Sequence, residues 1–312
     1  MDFENILTAE EKITFALRAL YSEYGYELYK MSKFEEYGLY AQNKDFLVSE
    51  NVITFTDTDG RLLALKPDVT LSIIKNGRDF VREPKKLFYN ENVYRVSKGT
   101  RSFKEIMQVG LERLGEVDAS GIAETLELAE KSLATISPRY ALEISHLDIP
   151  LGVLNAFGVS EGGKKEFFAY LGEKNVQGVR AVALAEGLTA EQTELLEELA
   201  KVYGAPSDVE NALEKFATVG EQARVAVSEL KTVLALLKKS GTGEKIRIDF
   251  SVVNDGKYYN GVAFQGFVEG VPTSVLSGGQ YDKLMKKMKK NGRAIGFAVY
   301  LDGLERAKGA EV

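Results

Sequence analysis

The chain has 312 residues, 45% hydrophobic and 28% charged, which is enough apolar chain to bury a large core and too little net charge for long disorder. Its formal net charge of -6 argues against a broad nucleic-acid footprint, which needs clustered Lys and Arg. With no cysteine and one histidine, His146, it has no disulfide, no thiolate metal site, no His-pair metal motif and no thiol nucleophile.

The start, Met1 to Asn5, shows no basic segment followed by an apolar run, and no window nears the roughly 20 apolar residues of a membrane span. A cytoplasmic location away from membranes is expected. Ile13, Leu17, Leu20 and Tyr21 recur at helical spacing behind Thr8 and Glu11, a capping-box pair, so the chain opens on a long helix that Gly25 stops. Tyr26 to Met31 alternates like a strand, and Phe34 to Tyr40 follows a helical pattern. Asn51 to Asp57 and Arg61 to Leu65 read as two strands around an Asp59-Gly60 turn, and Asp68 to Asn76 as a short helix behind Pro67. Lys85 to Tyr94 and Phe103 to Arg113 are strand-like, joined by the polar loop Ser97 to Arg101.

Gly121 to Leu133 is helical and Ala141 to Leu147 strand-like. From about 150 to 240 the pattern is almost entirely helical and rich in Ala, Leu, Glu and Lys, which predicts an inserted helical subdomain within a single domain. Lys245 to Val253 and Val262 to Val268 read as a hairpin with Asn254-Asp255-Gly256 at its tip, Ser277 to Asp282 as a loop, and Arg293 to Tyr300 as a last strand before a final helix. Antiparallel hairpins on one sheet, flanked by helices, make the predicted fold α+β. His146 lies among apolar neighbours and is expected to be structural. The run Lys283 to Lys290 has two readings, a phosphate contact or a solvated helix face with Leu284, Met285 and Met288 buried; the second is favoured.

Four segments concentrate polar and aromatic residues: Lys66 to Thr70, Gln108 to Glu112, Lys257 to Gly261 and Gly278 to Asp282. Gln108 and Glu112 are four apart on a strand and share a face, with Gly110 leaving room between them. An amide and a carboxylate so placed suit an ammonium or imidazole N–H, with Tyr258, Tyr259 and Tyr281 packing a ring and Asp68 and Thr70 offering a second amine contact. The same pattern also fits strand polar groups facing water over a tyrosine-lined core.

These segments, in this order, resemble the catalytic core of class II histidyl-tRNA synthetases over nearly the whole chain. The likeness runs through a motif 1 at Tyr24-Gly25-Tyr26 to Phe34-Glu35, a motif 2 from Leu87 to Glu112, a tyrosine hairpin from Lys257 to Phe264, and a motif 3 at Gly296-Phe297-Ala298. It implies a class II aminoacyl-tRNA synthetase-like antiparallel sheet flanked by helices. Three phosphate-gripping arginines of that family are missing: Phe88-Tyr89-Asn90-Glu91 replaces Phe-Arg-x-Glu, Asn254 stands at the second position and Gly303 at the third, unless Arg306 substitutes. Neither a phenol nor an amide carries the charge that phosphoryl chemistry needs, and one lost donor typically costs about 2.7–4 kcal/mol of barrier. By the same resemblance Asp68, Thr70 and Gln108 stand where the family binds an α-amino group, and Glu112, Tyr259 and Tyr281 where it reads an imidazole, Asp68 replacing a Glu.

Loss of the nucleotide grip with retention of the amino-acid pocket, in a chain that stops after motif 3 without an anticodon-binding domain, resembles the synthetase-like regulatory subunits of ATP phosphoribosyltransferase. That family implies no catalytic residue, cofactor or metal, no tRNA partner, a class II-like dimer, a hetero-octamer with a short catalytic subunit that needs this chain for activity, and histidine as feedback effector. The competing readings are a diverged class II ligase acting on a non-tRNA acceptor, and a tRNA-binding or sensor module.

Overall fold

The structure, a computed structural model, describes residues 6–47, 51–96, 102–253 and 258–302. In helix α1 (Ala9–Glu23) the capping box is complete: Glu11 donates its N–H to the Thr8 hydroxyl, and the Thr8 N–H donates back to the Glu11 carboxylate at 2.8 Å. Gly25, at φ 78°, turns the chain into the two-residue strand β1 (Glu27–Leu28). Residues 34–40 depart from the expected helix. They make strand β2 (Phe34–Glu36) and then α2 (Tyr37–Gln42), because β2 takes its hydrogen bonds from a neighbouring hairpin.

That hairpin is β3 (Thr54–Thr56) and β4 (Leu62–Leu65). The Asp57 carboxylate accepts the N–H groups of Asp59 and Arg61, and Gly60 adopts φ 81°, so the Asp-Gly signal is realised. Helix α3 (Thr70–Asn76) leads to the long strands β5 (Lys85–Val96) and β6 (Phe103–Gly115), whose connection at 97–101 lies outside the described residues. Helix α4 (Ala119–Ile136) and strand β7 (Tyr140–His146) follow.

Between β7 and the next long strand the chain runs through α5 (Asp148–Ala156), α6 (Glu161–Gly172), α7 (Val176–Ala185), α8 (Ala190–Lys201), the two-residue β8 (Tyr203–Gly204), α9 (Glu210–Ala217) and α10 (Glu221–Lys239). The sheet is then completed by β9 (Ile246–Asp249), β10 (Asn260–Val268), β11 (Leu276–Gln280) and, after α11 (Asp282–Lys287), β12 (Arg293–Tyr300).

Among the described residues nine strands form one sheet in the order β1-β5-β6-β12-β11-β10-β7-β9-β8, with β2-β4-β3 as a separate small sheet. Three expectations are corrected. The large sheet is mixed, since β1 runs parallel to β5 and β7 parallel to β9. The predicted hairpin of β9 with β10 does not form, because β7 lies between them and uses one edge for each; the supposed tip, 254–256, falls outside the described residues. The stretch 277–280 is not a loop but strand β11. Its glycines meet a space requirement: a Cβ on Gly278 would lie 2.5 Å from the Gly296 carbonyl oxygen and from the Phe297 Cβ.

One face of the sheet is closed by α1 and α4. Leu17, Tyr21, Leu126 and Leu133 bury against Phe88, Val109, Leu111, Phe297 and Val299. Tyr21 meets Phe297 edge-on at 6.0 Å, and its hydroxyl pairs with that of Ser132 at 2.9 Å. The alternate residues of the same strands face the other way. A second core gathers there, holding Tyr40, Phe46, Val69, Ile74, Tyr89, Tyr281, Leu284 and Met285. In α11 the basic run is a solvated face, with Leu284 and Met285 buried and Met288 packed against them.

Candidate functional site

The two-residue period of the strands places Tyr89 on β5, Gln108, Gly110 and Glu112 on β6, Gly296, Ala298 and Tyr300 on β12, and Ser277 and Gly279 on β11 on one face. Above them is a cavity of about 440 Å³. All seven residues singled out in the sequence line it: Asp68, Thr70, Gln108, Glu112, Tyr258, Tyr259 and Tyr281.

Glu112 is the centre. Its side chain is buried, Thr70 donates its hydroxyl to one carboxylate oxygen at 2.6 Å, and Tyr281 donates to the other at 2.5 Å. No cation is bonded to it among these contacts, so burial dominates and pushes the carboxyl up to about 8, with the two hydroxyls pulling back and Asp68 adding repulsion. Register explains how so bulky a group fits. Glu112 pairs with Gly296, where a Cβ would fall 1.8 Å from a Glu112 oxygen, and Gly296 pairs with Gly279, where a Cβ would fall 2.7 Å from the Tyr259 ring.

Asp68 sits before α3 and accepts the Leu71 N–H at 2.8 Å. Burial raises its pKa, and that backbone bond and Arg95 oppose the rise. Lys66, two residues before it, is buried and ion-paired with Glu91. Burial likewise raises the phenols of Tyr89, Tyr258, Tyr259 and Tyr281, which stay neutral donors at any ordinary pH. Tyr258 packs against Tyr259 at 4.7 Å, against Tyr281 at 6.0 Å and against Phe46 at 6.0 Å, an aromatic cluster on one side of the cavity.

The room expected beside Gly110 is occupied. A Cβ there would meet the Tyr89 hydroxyl and the Phe297 carbonyl oxygen, each at 2.5 Å. Tyr89, read in the sequence as standing at the motif 2 arginine position, is a buried phenol, while Arg95 further along the same strand brings a cation to the cavity. The other two positions from which an arginine is missing, Asn254 and Gly303, and Arg306 with them, lie outside the described residues.

Among the lining residues not foreseen are Asp45, Phe46, Leu47, Arg95, Ser274 and Tyr300. Tyr300 was within reach, since it continues the period of Gly296 and Ala298. Phe46 and Leu47 come from a single 3-10 turn, Lys44–Phe46, which leaves no periodic trace. His146 lies apart from the cavity: it is buried on β7 with Nε2 at 2.9 Å from a Glu229 oxygen, tying α10 to the sheet.

Fold and site together define the class of protein. The family model described as histidyl-tRNA synthetase matches residues 5–304, and the chain belongs to that family. Within it, the chain is 26% identical over 291 residues to the ATP phosphoribosyltransferase regulatory subunit of Acetivibrio thermocellus, covering 91% of this chain and 68% of that one. Among solved structures it resembles an ATP phosphoribosyltransferase regulatory subunit/histidyl-tRNA synthetase from Bacillus halodurans, at 25% identity and a TM-score of 0.83 over 96% of this chain and 78% of that one. It shares its fold with a chain of the ATP phosphoribosyl transferase (HisG:HisZ) complex of Thermotoga maritima, at 15% identity and a TM-score of 0.69 over 96% of this chain and 97% of that one.

Proposed function

We propose that this chain is a regulatory subunit of ATP phosphoribosyltransferase, the first enzyme of histidine biosynthesis, and that its cavity takes histidine as a feedback effector. The observation that carries the reading is that Asp68, Thr70, Gln108, Glu112, Tyr258, Tyr259 and Tyr281 line one cavity, with a buried Tyr89 on its floor. The described lining supplies the acidic side chains Asp45, Asp68 and the hydroxyl-held Glu112 beside one cation, Arg95, and these oxygens suit a ligand bearing N–H donors. The similarity to named regulatory subunits supports the same reading.

On this reading the chain acts in the cytoplasm without synthetase activity, cofactor, metal or tRNA. It self-associates as a class II-like dimer and joins a short catalytic subunit in a hetero-octamer. Histidine inhibits through a coupling free energy between the cavity and a catalytic site on the partner chain.

The test is co-purification with a short-form catalytic subunit, assayed with and without this chain and with histidine. Activity that depends on this chain and falls with histidine is expected. A catalytic subunit fully active alone and indifferent to this chain ends the proposal, and histidine-dependent pyrophosphate exchange by the pure chain would make it a ligase instead.

A further inference from the structure

The cavity-facing residues of β12 change character along the strand: Gly296 and Ala298 leave space, and Tyr300 fills it. The register sets the distance between the two ends. Gly296 lies against Glu112 and Tyr300 against Gln108, four residues along each strand, which is roughly 13 Å at about 3.3 Å per residue. One end of the floor is therefore marked by a carboxyl between two hydroxyls, and the other by a half-buried phenol ring. That ring is held at both ends. The Tyr300 N–H donates to the Val275 carbonyl at 2.8 Å, and the Arg95 guanidinium donates a hydrogen bond to the phenol oxygen. A side chain tied at its root and at its tip makes a stiff boundary rather than an adaptable surface.

We propose that Tyr300 is the end wall of the cavity and sets the length of its ligand, admitting a single amino acid and refusing one lengthened at its main-chain end by a peptide bond. The assignment rests on the reading of the cavity as a histidine site with the imidazole on Glu112, and deepens it by naming what limits the ligand's size. With the ring of histidine on Glu112, its main-chain atoms run along the floor toward Tyr300. A further residue joined to them meets the phenol. Such exclusion is steric, so it survives loss of the hydroxyl and disappears with the ring.

Titration calorimetry of the full chain with L-histidine, with the dipeptides histidylglycine and glycylhistidine, and with 1-benzyl-L-histidine, which is lengthened at the opposite end, separates the two layers. Wild type should bind histidine roughly 10- to 200-fold more tightly than either dipeptide, the range of steric discrimination in a closed pocket. Tyr300→Ala should raise the affinity for at least one dipeptide by about 10-fold or more, with histidine close to its wild-type value, which also shows that the variant is folded. Tyr300→Phe should keep the wild-type ratio, and 1-benzyl-L-histidine should stay excluded throughout. Dipeptides bound as tightly as histidine by wild type, no gain for either in Tyr300→Ala, an equal gain for the benzyl compound, or a ratio lost in Tyr300→Phe overturns the wall and leaves the histidine site standing. No binding of histidine by wild type, or undiminished binding by Glu112→Ala, overturns the histidine site and the wall with it.

Discussion

On the helical stretch from α5 to α10, Glu197 faces Arg180 and Lys201, Glu198 faces Lys215, and Glu229 faces both His146 and Arg293. In the cavity, Glu112 is instead held between two neutral hydroxyls. The consequence shows in their protonation. The hydrogen bond with His146 holds the Glu229 carboxyl below the ordinary glutamate value, whereas burial carries Glu112 well above it. A carboxylate matched to a cation is complete within the protein. One matched only to hydroxyls keeps a proton at neutral pH, and a ligand N–H can take that proton's place.

The widest separation between the two regions should appear in stability against pH. Glu112 titrates near 8 in the folded chain and near 4.5 when unfolded, so its contribution is fully present below about 4.5 and is lost as pH rises through 8. Since one unit corresponds to about 1.4 kcal/mol, the loss is of the order of a few kcal/mol. Glu112→Gln should flatten this window in denaturant titrations at pH 5 to 9; an unchanged slope would mean that the buried carboxyl ionises freely. Next in size, Glu112→Ala should weaken histidine binding roughly 30- to 100-fold by calorimetry, the scale of a hydrogen bond to a charged group. Unchanged affinity would move the effector site away from the cavity.

The helical side should answer differently. His146→Gln removes the tie to Glu229 and should lower unfolding stability by about 1–2 kcal/mol with histidine affinity intact. Smallest of all, Lys215→Ala breaks a largely exposed pair with Glu198 and should cost less than about 1 kcal/mol, by less again in high salt. A change in histidine affinity for either variant would break the division between a binding half and a structural half.

What was legible in the sequence follows the range of the forces involved. The capping box at Thr8, the Asp59-Gly60 turn and the shared face of Gln108 and Glu112 are local, and the structure contains all three. Strand pairing is not local: β9 and β10 read as neighbours, but the choice of partner belonged to β7, over a hundred residues from β10. The glycines at 278 and 279 misled for a related reason. Their signal is that of a turn, while their cause is the approach of Gly296, Phe297 and Tyr259 from other parts of the chain. The seven cavity residues were singled out by polar and aromatic density and strand period, and family likeness, which carries tertiary information, then gave six of them roles. Arg95 lies within the Leu87 to Glu112 likeness but was not singled out, and the fold brings it to the same cavity as Asp68.

Gly110, Gly279 and Gly296 lie on three adjacent strands, and each leaves the space that a side chain of the cavity occupies: Tyr89, Tyr259 and Glu112 respectively. The binding chamber is thus carved by omission. A single added methyl at position 296 would drive into the Glu112 carboxylate and the Leu111 carbonyl, shutting the chamber while every residue that could touch an amino acid stayed in the sequence. Loss of such a cavity can therefore begin at a bare backbone position, silent to any inventory of the side chains that remain.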